Sequence, residues 1–294
     1  MSEWPPIAEP ELLRRLTMDD AEFDEFFQGL VERLPARTHD EVTFARAIAY
    51  PWARPAGSFL LSGGETSMLA HLGAGERDDA LARFLAPDCG RLPVLAIGSN
   101  GAPETVERKF AHFERAEDRS LLAVTGHLHD FDVGVAAQPS LYGSMAATPF
   151  PSPGTATRAS LLWVTPAQFT QLAWSELTYR LGRLRTRFEA DDDLPDRDEV
   201  LVFVSRFGAF CPDGEPVALA AVPARGRVAS ELSQEQSLDA AARLALGPEA
   251  SAEDLVRAIF EDPSALVPKL VETVNRASLP FASERWTPFH PELV

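Results

Sequence analysis

Between Leu92 and Val222 the chain is built from short apolar runs, and that rhythm constrains the fold more than any other feature. Val94–Ile97, Leu121–Thr125, His127–Val135, Arg158–Val164, Val200–Ser205 and Val217–Val222 are rich in Val, Leu and Phe, with Gly, Pro or Asp between them. Runs of this kind read as β-strands. "CPDGEP" (Cys211–Pro216) reads as a hairpin turn between the last two. Two helices interrupt the series, one opening at Pro103 and one at Pro166; proline suits the first helical position, where its missing N–H is not needed.

The flanks follow a different period. Phe23, Phe26, Phe27, Leu30, Val31 and Leu34 recur at helical spacing over Asp19–Leu34. "YPWARPAGSFLLSGGE" then breaks helix, and a short helix is expected over Glu76–Leu85. Beyond Gly226 the pattern is helical again. Ser251 is placed to cap a helix with Asp254 three residues on, and a further helix over Ala265–Asn275 would hold Pro268 in its first turn. The expected class is α+β in three segments: a mostly helical 1–90, a strand-rich core 91–225 and a helical 226–294.

Composition limits what such a chain does. With 45% hydrophobic residues in 294 it can bury a sizeable core, and no run approaches the ~20 apolar residues of a membrane span. The start, "MSEWPPIAEPELL", lacks a basic region before an apolar stretch, so no secretory signal is expected. A net charge of −17 would repel polyanions, which argues against a nucleic-acid partner. Cys89 and Cys211 are far apart and give neither a disulfide framework nor metal spacing, which suits a reducing cytoplasm.

Several residues could carry chemistry. "VLAIGSNGAPETVERKF" (Val94–Phe110) is a strand, a Gly-Ser-Asn-Gly loop and a helix start. Such a loop can hold an anion through free N–H groups and the helix dipole, or it can simply turn the chain. Ser99 lacks the glycine two residues before it that a nucleophile elbow needs, because Ile97 stands there. His127 and His129 share one face of a strand, with Asp130 and Asp132 on the other, and no third metal ligand is evident. The acidic run "EADDDLPDRDE" (Glu189–Glu199) reads as a solvated loop. In "VTPAQFTQLAWSELTYRLGRL", Thr165 and Gln168 form a capping box ahead of Pro166. Phe169, Leu172 and Ala173 then mark an inner helical face whose next member is Glu176. A carboxylate there is an acid or base, an edge residue, or the partner of Arg180, Arg183 or Arg185.

Taken in order, these pieces resemble the γ-glutamylcyclotransferase-like family. That family's hallmark loop is Tyr-Gly-Ser-Asn at the end of its first strand, and "AIGSNG" stands in its place. "HLHDFDVGV" resembles the strand that follows. "AATPFPSPGTATRASLLWVTPAQFTQLAWSE" resembles the Ala-Thr segment, the Pro and Gly turn, the strand ending in Trp and the helix ending in a key glutamate. "EVLVFVSRFGAFCPDGEPVALAAV" resembles the closing hairpin. The likeness runs from Val94 to about Val222. Two departures stand out: Ile97 replaces the loop tyrosine, and Leu177 follows the glutamate where glycine is common.

The resemblance implies a small mixed β-barrel with flanking helices, extended by helices at both ends. It implies that Glu176 is the catalytic acid/base and that Ile97, Gly98, Ser99, Asn100 and Gly101 receive a γ-glutamyl substrate. The implied reaction is an intramolecular acyl transfer that releases 5-oxoproline and needs neither a metal nor an organic cofactor. The competing expectation is a catalytically silent barrel that serves as a binding or regulatory module, with the helical extensions as a protein-partner surface.

Overall fold

The computed structural model describes residues 4–290. Three helices come first: α1 (Pro10–Thr17), α2 (Asp20–Val31) and α3 (Glu41–Ile48). Asp19 opens α2 with a reciprocal capping box to Glu22, and Phe23, Phe27 and Val31 are its buried stripe. A hairpin of β1 (Phe59–Ser62) and β2 (Glu65–Met68) follows, then α4 (Ala74–Leu85). The strand-rich region holds β3 (Leu92–Ala96), α5 (Pro103–Phe110), β4 (Leu121–Pro139), β5 (Met145–Val164), α6 (Pro166–Ser175), β6 (Tyr179–Ala190) and β7 (Arg197–Ser205). The chain closes with α7 (Gln234–Leu246), α8 (Ala252–Glu261) and α9 (Pro263–Asn275).

Five strands close into a mixed barrel in the cyclic order β3-β5-β4-β6-β7. Four of the pairings are antiparallel, and β3 meets β7 in parallel at Val94 and Leu201. Strand alternation divides the apolar residues into two cores. Val94, Ala96, Leu162, Leu201 and Phe203 pack with α1, α5 and α6. Leu95, Ile97, Leu161, Trp163, Val200 and Val202 belong to the second core, which runs on into residues of α2, α7, α8 and α9. That second core therefore draws on residues before 91, between 91 and 225, and after 225.

Three elements depart from the sequence reading. Leu121–Thr125 and His127–Val135 are one strand, β4, because Gly126 is a crossing point and not a break. A Cβ on Gly126 would strike the Glu189 carbonyl and the Phe188 ring, so glycine lets β6 pass close by. The expected Pro and Gly turn of "PFPSPG" lies inside β5, where Pro149 and Pro151 face Val133 and Phe131 across an irregular part of the ladder. There Asp130 bulges at φ 62° and its carboxylate accepts the Gly154 N–H at 3.0 Å. Pro268 is interior to α9, which starts earlier than expected, at Pro263 with an Asp262 cap.

The closing hairpin is met in shortened form. "CPDGEP" turns the chain between two-residue strands at Ala209–Phe210 and Ala218–Leu219, both of which pair with β4. The acidic run is the end of β6, a turn, and the start of β7. Its Asp191 accepts from Thr125 and pairs with Arg158 at 2.5 Å, so the run is partly tied down. No helix among the described residues is long and apolar enough to cross a membrane.

Candidate active site

The site lies at the C-terminal end of β3. Ile97 leaves the strand with its side chain buried in the second core. Gly98 follows, and Ser99–Gly101 form a single 3-10 turn that leads through Ala102 into Pro103 of α5. The Gly101 N–H closes onto the Gly98 carbonyl and the Ala102 N–H onto the Ser99 carbonyl, both at 3.0 Å. Gly101 is buried with the Arg54 side chain packed against it, and it stays out of the pocket.

Glu176 reaches this loop from the other side. The Thr165–Gln168 capping box is present and α6 begins at Pro166 as expected. The helix ends one residue early, however, and Glu176 is its C-cap, at φ −108° and ψ 40°. Glu176 therefore extends from the corner between α6 and β6 and not from the inner helical face. The Asn100 amide donates to Glu176 Oε1 at 2.9 Å. None of the three arginines weighed as partners binds it. Arg180 pairs with Asp20, Arg183 lies 3.8 Å from Glu199, and Arg185 donates to the Glu284 carbonyl.

Lys109 completes this polar end. Its Nζ donates to Asn100 Oδ1 at 2.6 Å and to Ser175 Oγ at 2.7 Å, and it stands 3.9 Å from Glu176 Oε1. Burial pulls the Lys109 ammonium below the usual lysine range, while the nearby Glu176 carboxylate opposes that shift. The Asn100 amide is thus fixed at both ends, and Asn100 and Lys109 both approach one carboxylate oxygen of Glu176. The sequence contained a hint of Lys109: it sits three residues after Val106 and beside Phe110, on the edge of the apolar face of α5.

Two tyrosines that sequence reasoning missed flank the loop. Tyr50 follows α3, and its hydroxyl accepts the Ala147 N–H at 2.9 Å. The Tyr179 hydroxyl donates to the Ala147 carbonyl at 3.0 Å. Burial pushes the Tyr50 phenol up to about 12, with the Glu176 charge adding to the effect, and it pushes Tyr179 well above its ordinary range. Both remain protonated donors at neutral pH. No local pattern could reveal Tyr50, because its partners lie about half a barrel away in sequence. The loop does not offer a row of four open N–H groups, because that of Gly101 is used in the turn.

These groups line one pocket of about 370 Å³, which contains Tyr50, Gly98, Ser99, Asn100, Lys109, Glu176 and Tyr179. A second cavity of about 480 Å³ lies beyond Trp52 and Arg54, with His127 and Arg158 in its wall. The two strand histidines are engaged separately. His129 bonds Glu189 at 2.8 Å and His127 lies 3.9 Å from Asp191. Among the described residues no group of three or more His, Cys, Asp or Glu is arranged to hold a metal ion. Asp132 is fully buried and is held by the Arg227 guanidinium through bonds of 2.7 and 2.8 Å.

No protein-family model matches the chain, and no curated protein matches it. The functional reading therefore rests on the residues and their geometry.

Proposed function

We propose that the chain is a γ-glutamylcyclotransferase-like enzyme that releases 5-oxoproline from a γ-glutamyl amine or peptide. The observation that carries this reading is the meeting of Glu176 with Asn100, 2.9 Å apart, on the wall of a pocket that also contains Gly98 and Ser99. Both the Asn100 and the Lys109 contacts fall on Oε1. Oε2 is the oxygen available to a substrate amine.

The reaction needs little beyond placement and proton transfer. The substrate's α-amino nitrogen attacks its own γ-carbonyl carbon, a five-membered lactam closes, and the bond to the leaving nitrogen breaks. Nucleophile and electrophile belong to one molecule, so holding the chain folded supplies the proximity. The Glu176 carboxylate takes a proton from the attacking amine and returns it to the departing nitrogen, which balances the step. The developing oxyanion needs a donor that stays protonated. Tyr50 fits, because its phenol lines the pocket, stays protonated, and has its oxygen held by the Ala147 N–H.

The test is 5-oxoproline release from a panel of γ-glutamyl amides and peptides, with Glu176→Gln as control. The glutamine keeps the Asn100 contact within reach and removes the base, so release should fall by about 10²–10⁴-fold without loss of fold. Wild-type rates in that variant would refute the assignment. Binding of γ-glutamyl compounds without release, equal in both proteins, would mark a silent binding module.

A further inference from the structure

The pocket is charged at one end only. Arg108, Lys109 and Glu176 are the charged residues in its wall. Arg108 and Lys109 stand on α5 and Glu176 at the adjoining α6 corner, so all three serve the end where the Gly98 loop lies. Away from α5 and α6 the wall is mainly apolar, with Leu30 and Val31 of α2, Leu34 just beyond it, Trp52, and Leu141 and Tyr142 between β4 and β5, and its polar members Gln138 and Ser140 carry no charge. Leu141 and Tyr142 keep 41% and 52% of their surface exposed at this wall. They are held in place nonetheless: Arg37 donates to the Leu141 carbonyl, and the Trp52 and Tyr142 rings meet edge to face with centroids 6.3 Å apart.

Those two ends match the two halves of a γ-glutamyl compound. Its amino-acid head carries an ammonium and a carboxylate, which suit Glu176 on one hand and Arg108 and Lys109 on the other. The group on the γ-nitrogen then falls against leucine, valine and aromatic surface. A second carboxylate or ammonium there would meet no lining side chain of opposite charge, whereas an apolar group is matched by the wall. We infer that the leaving amine is neutral apart from its reacting nitrogen and apolar: an alkylamine or arylamine, not an amino acid and not a diamine. This rests on the cyclisation proposed above. The pocket volume of about 370 Å³ lies in the range of small-molecule sites, roughly 300–1,000 Å³, so a compact leaving group is the appropriate size.

The experiment compares kcat/KM for 5-oxoproline release from three probes: γ-glutamyl-phenethylamide, γ-glutamylglycine and the mono-γ-glutamyl amide of 1,4-diaminobutane. The apolar amide should exceed each charged probe by about tenfold or more. Leu141→Asp, at an exposed position, should narrow its lead over the diamine probe by about fivefold or more, since it supplies the missing counter-charge. Leu34→Asp repeats the test from the α2 side, with circular dichroism to verify its fold. Equal or faster turnover of either charged probe overturns the inference and leaves the cyclisation standing. Release from none of the three overturns both, and the absence of any 5-oxoproline tells that outcome apart.

Discussion

The hydroxyl of Tyr50 occupies the space that a Cβ on Gly98 would need. The glycine and the phenol are thus a matched pair, one contributed by the loop after β3 and the other by the segment after α3. Gly98→Ala should cost about 1–3 kcal/mol of stability, as overpacking of a close contact does. In a Tyr50→Phe background the same change should cost much less, because the next contacts, at 3.2 and 3.4 Å, are tolerable. Urea unfolding of the four proteins checks this. Additive losses would show that the pair is not coupled.

Tyr50 also predicts an alkaline effect on stability. Its phenol is pushed up to about 12, whereas an unfolded tyrosine titrates near 10. The folded state therefore holds the proton more tightly. The stabilisation is fully present below about pH 10 and is lost as pH rises toward about 12. Absorbance at 295 nm at pH 11 should show fewer ionised tyrosines in the folded chain than in urea. Tyr50→Phe should shrink that gap.

Lys109 predicts a pH effect of opposite sign. Burial lowers its folded pKa, so the unfolded chain binds more protons just below the usual lysine range of about 10.4. Within that window stability contributed at Lys109 rises with pH. Against Lys109→Met, the wild type should gain ground in denaturant midpoint between pH 8 and about 10. The same variant frees the Asn100 amide and should slow 5-oxoproline release by about tenfold or more.

The buried Asp132–Arg227 pair predicts a large stability loss. Arg227 also donates to the Val222 carbonyl at 2.7 Å, so it fastens the segment after the barrel to β4. Arg227→Ala should cost about 3–5 kcal/mol, because it strands a carboxylate with no exposure. Replacing both residues with apolar ones of similar volume should cost less than the single change. Equilibrium unfolding distinguishes the two outcomes.

The strand-rich segment taken alone should not fold. β1 pairs with β4, Tyr50 bonds Ala147, and the second core mixes residues of α2, α7, α8 and α9 with those of the barrel. A fragment of residues 91–225 should therefore lack a cooperative thermal transition, checked by near-ultraviolet circular dichroism and calorimetry.

What the sequence made legible was local. A capping box set the start of α6 at Pro166, and Glu176 meets the loop after β3 from just beyond the end of that helix. The box could not say where the helix would stop, because no glycine marks its end, and Glu176 is a cap as a result. Gly126 and the prolines of β5 misled for one reason: the residues that end a strand also allow a close crossing or a bulge inside one. Tyr50 and Lys109 act on the loop through contacts with no periodic trace at Tyr50 and only a faint one at Lys109. Ile97 supplies no phenol to the loop. The structure brings one there from Tyr50, in a segment that the family likeness does not cover.

The Ala147 N–H donates to the Tyr50 hydroxyl and the Ala147 carbonyl accepts from Tyr179, so one residue of β5 gauges the position of both phenols. A small side chain at that residue leaves both gauge marks in place, whereas a large one would overpack the buried contact with Gly98. Inserting or deleting a single residue between Pro139 and Met145 is a different kind of change, because it resets the register of β5 against β4. Sequence drift in this protein should therefore be confined to small residues at Ala147 and forbidden as a change of spacing, so that length is what the β4–β5 connection has to preserve.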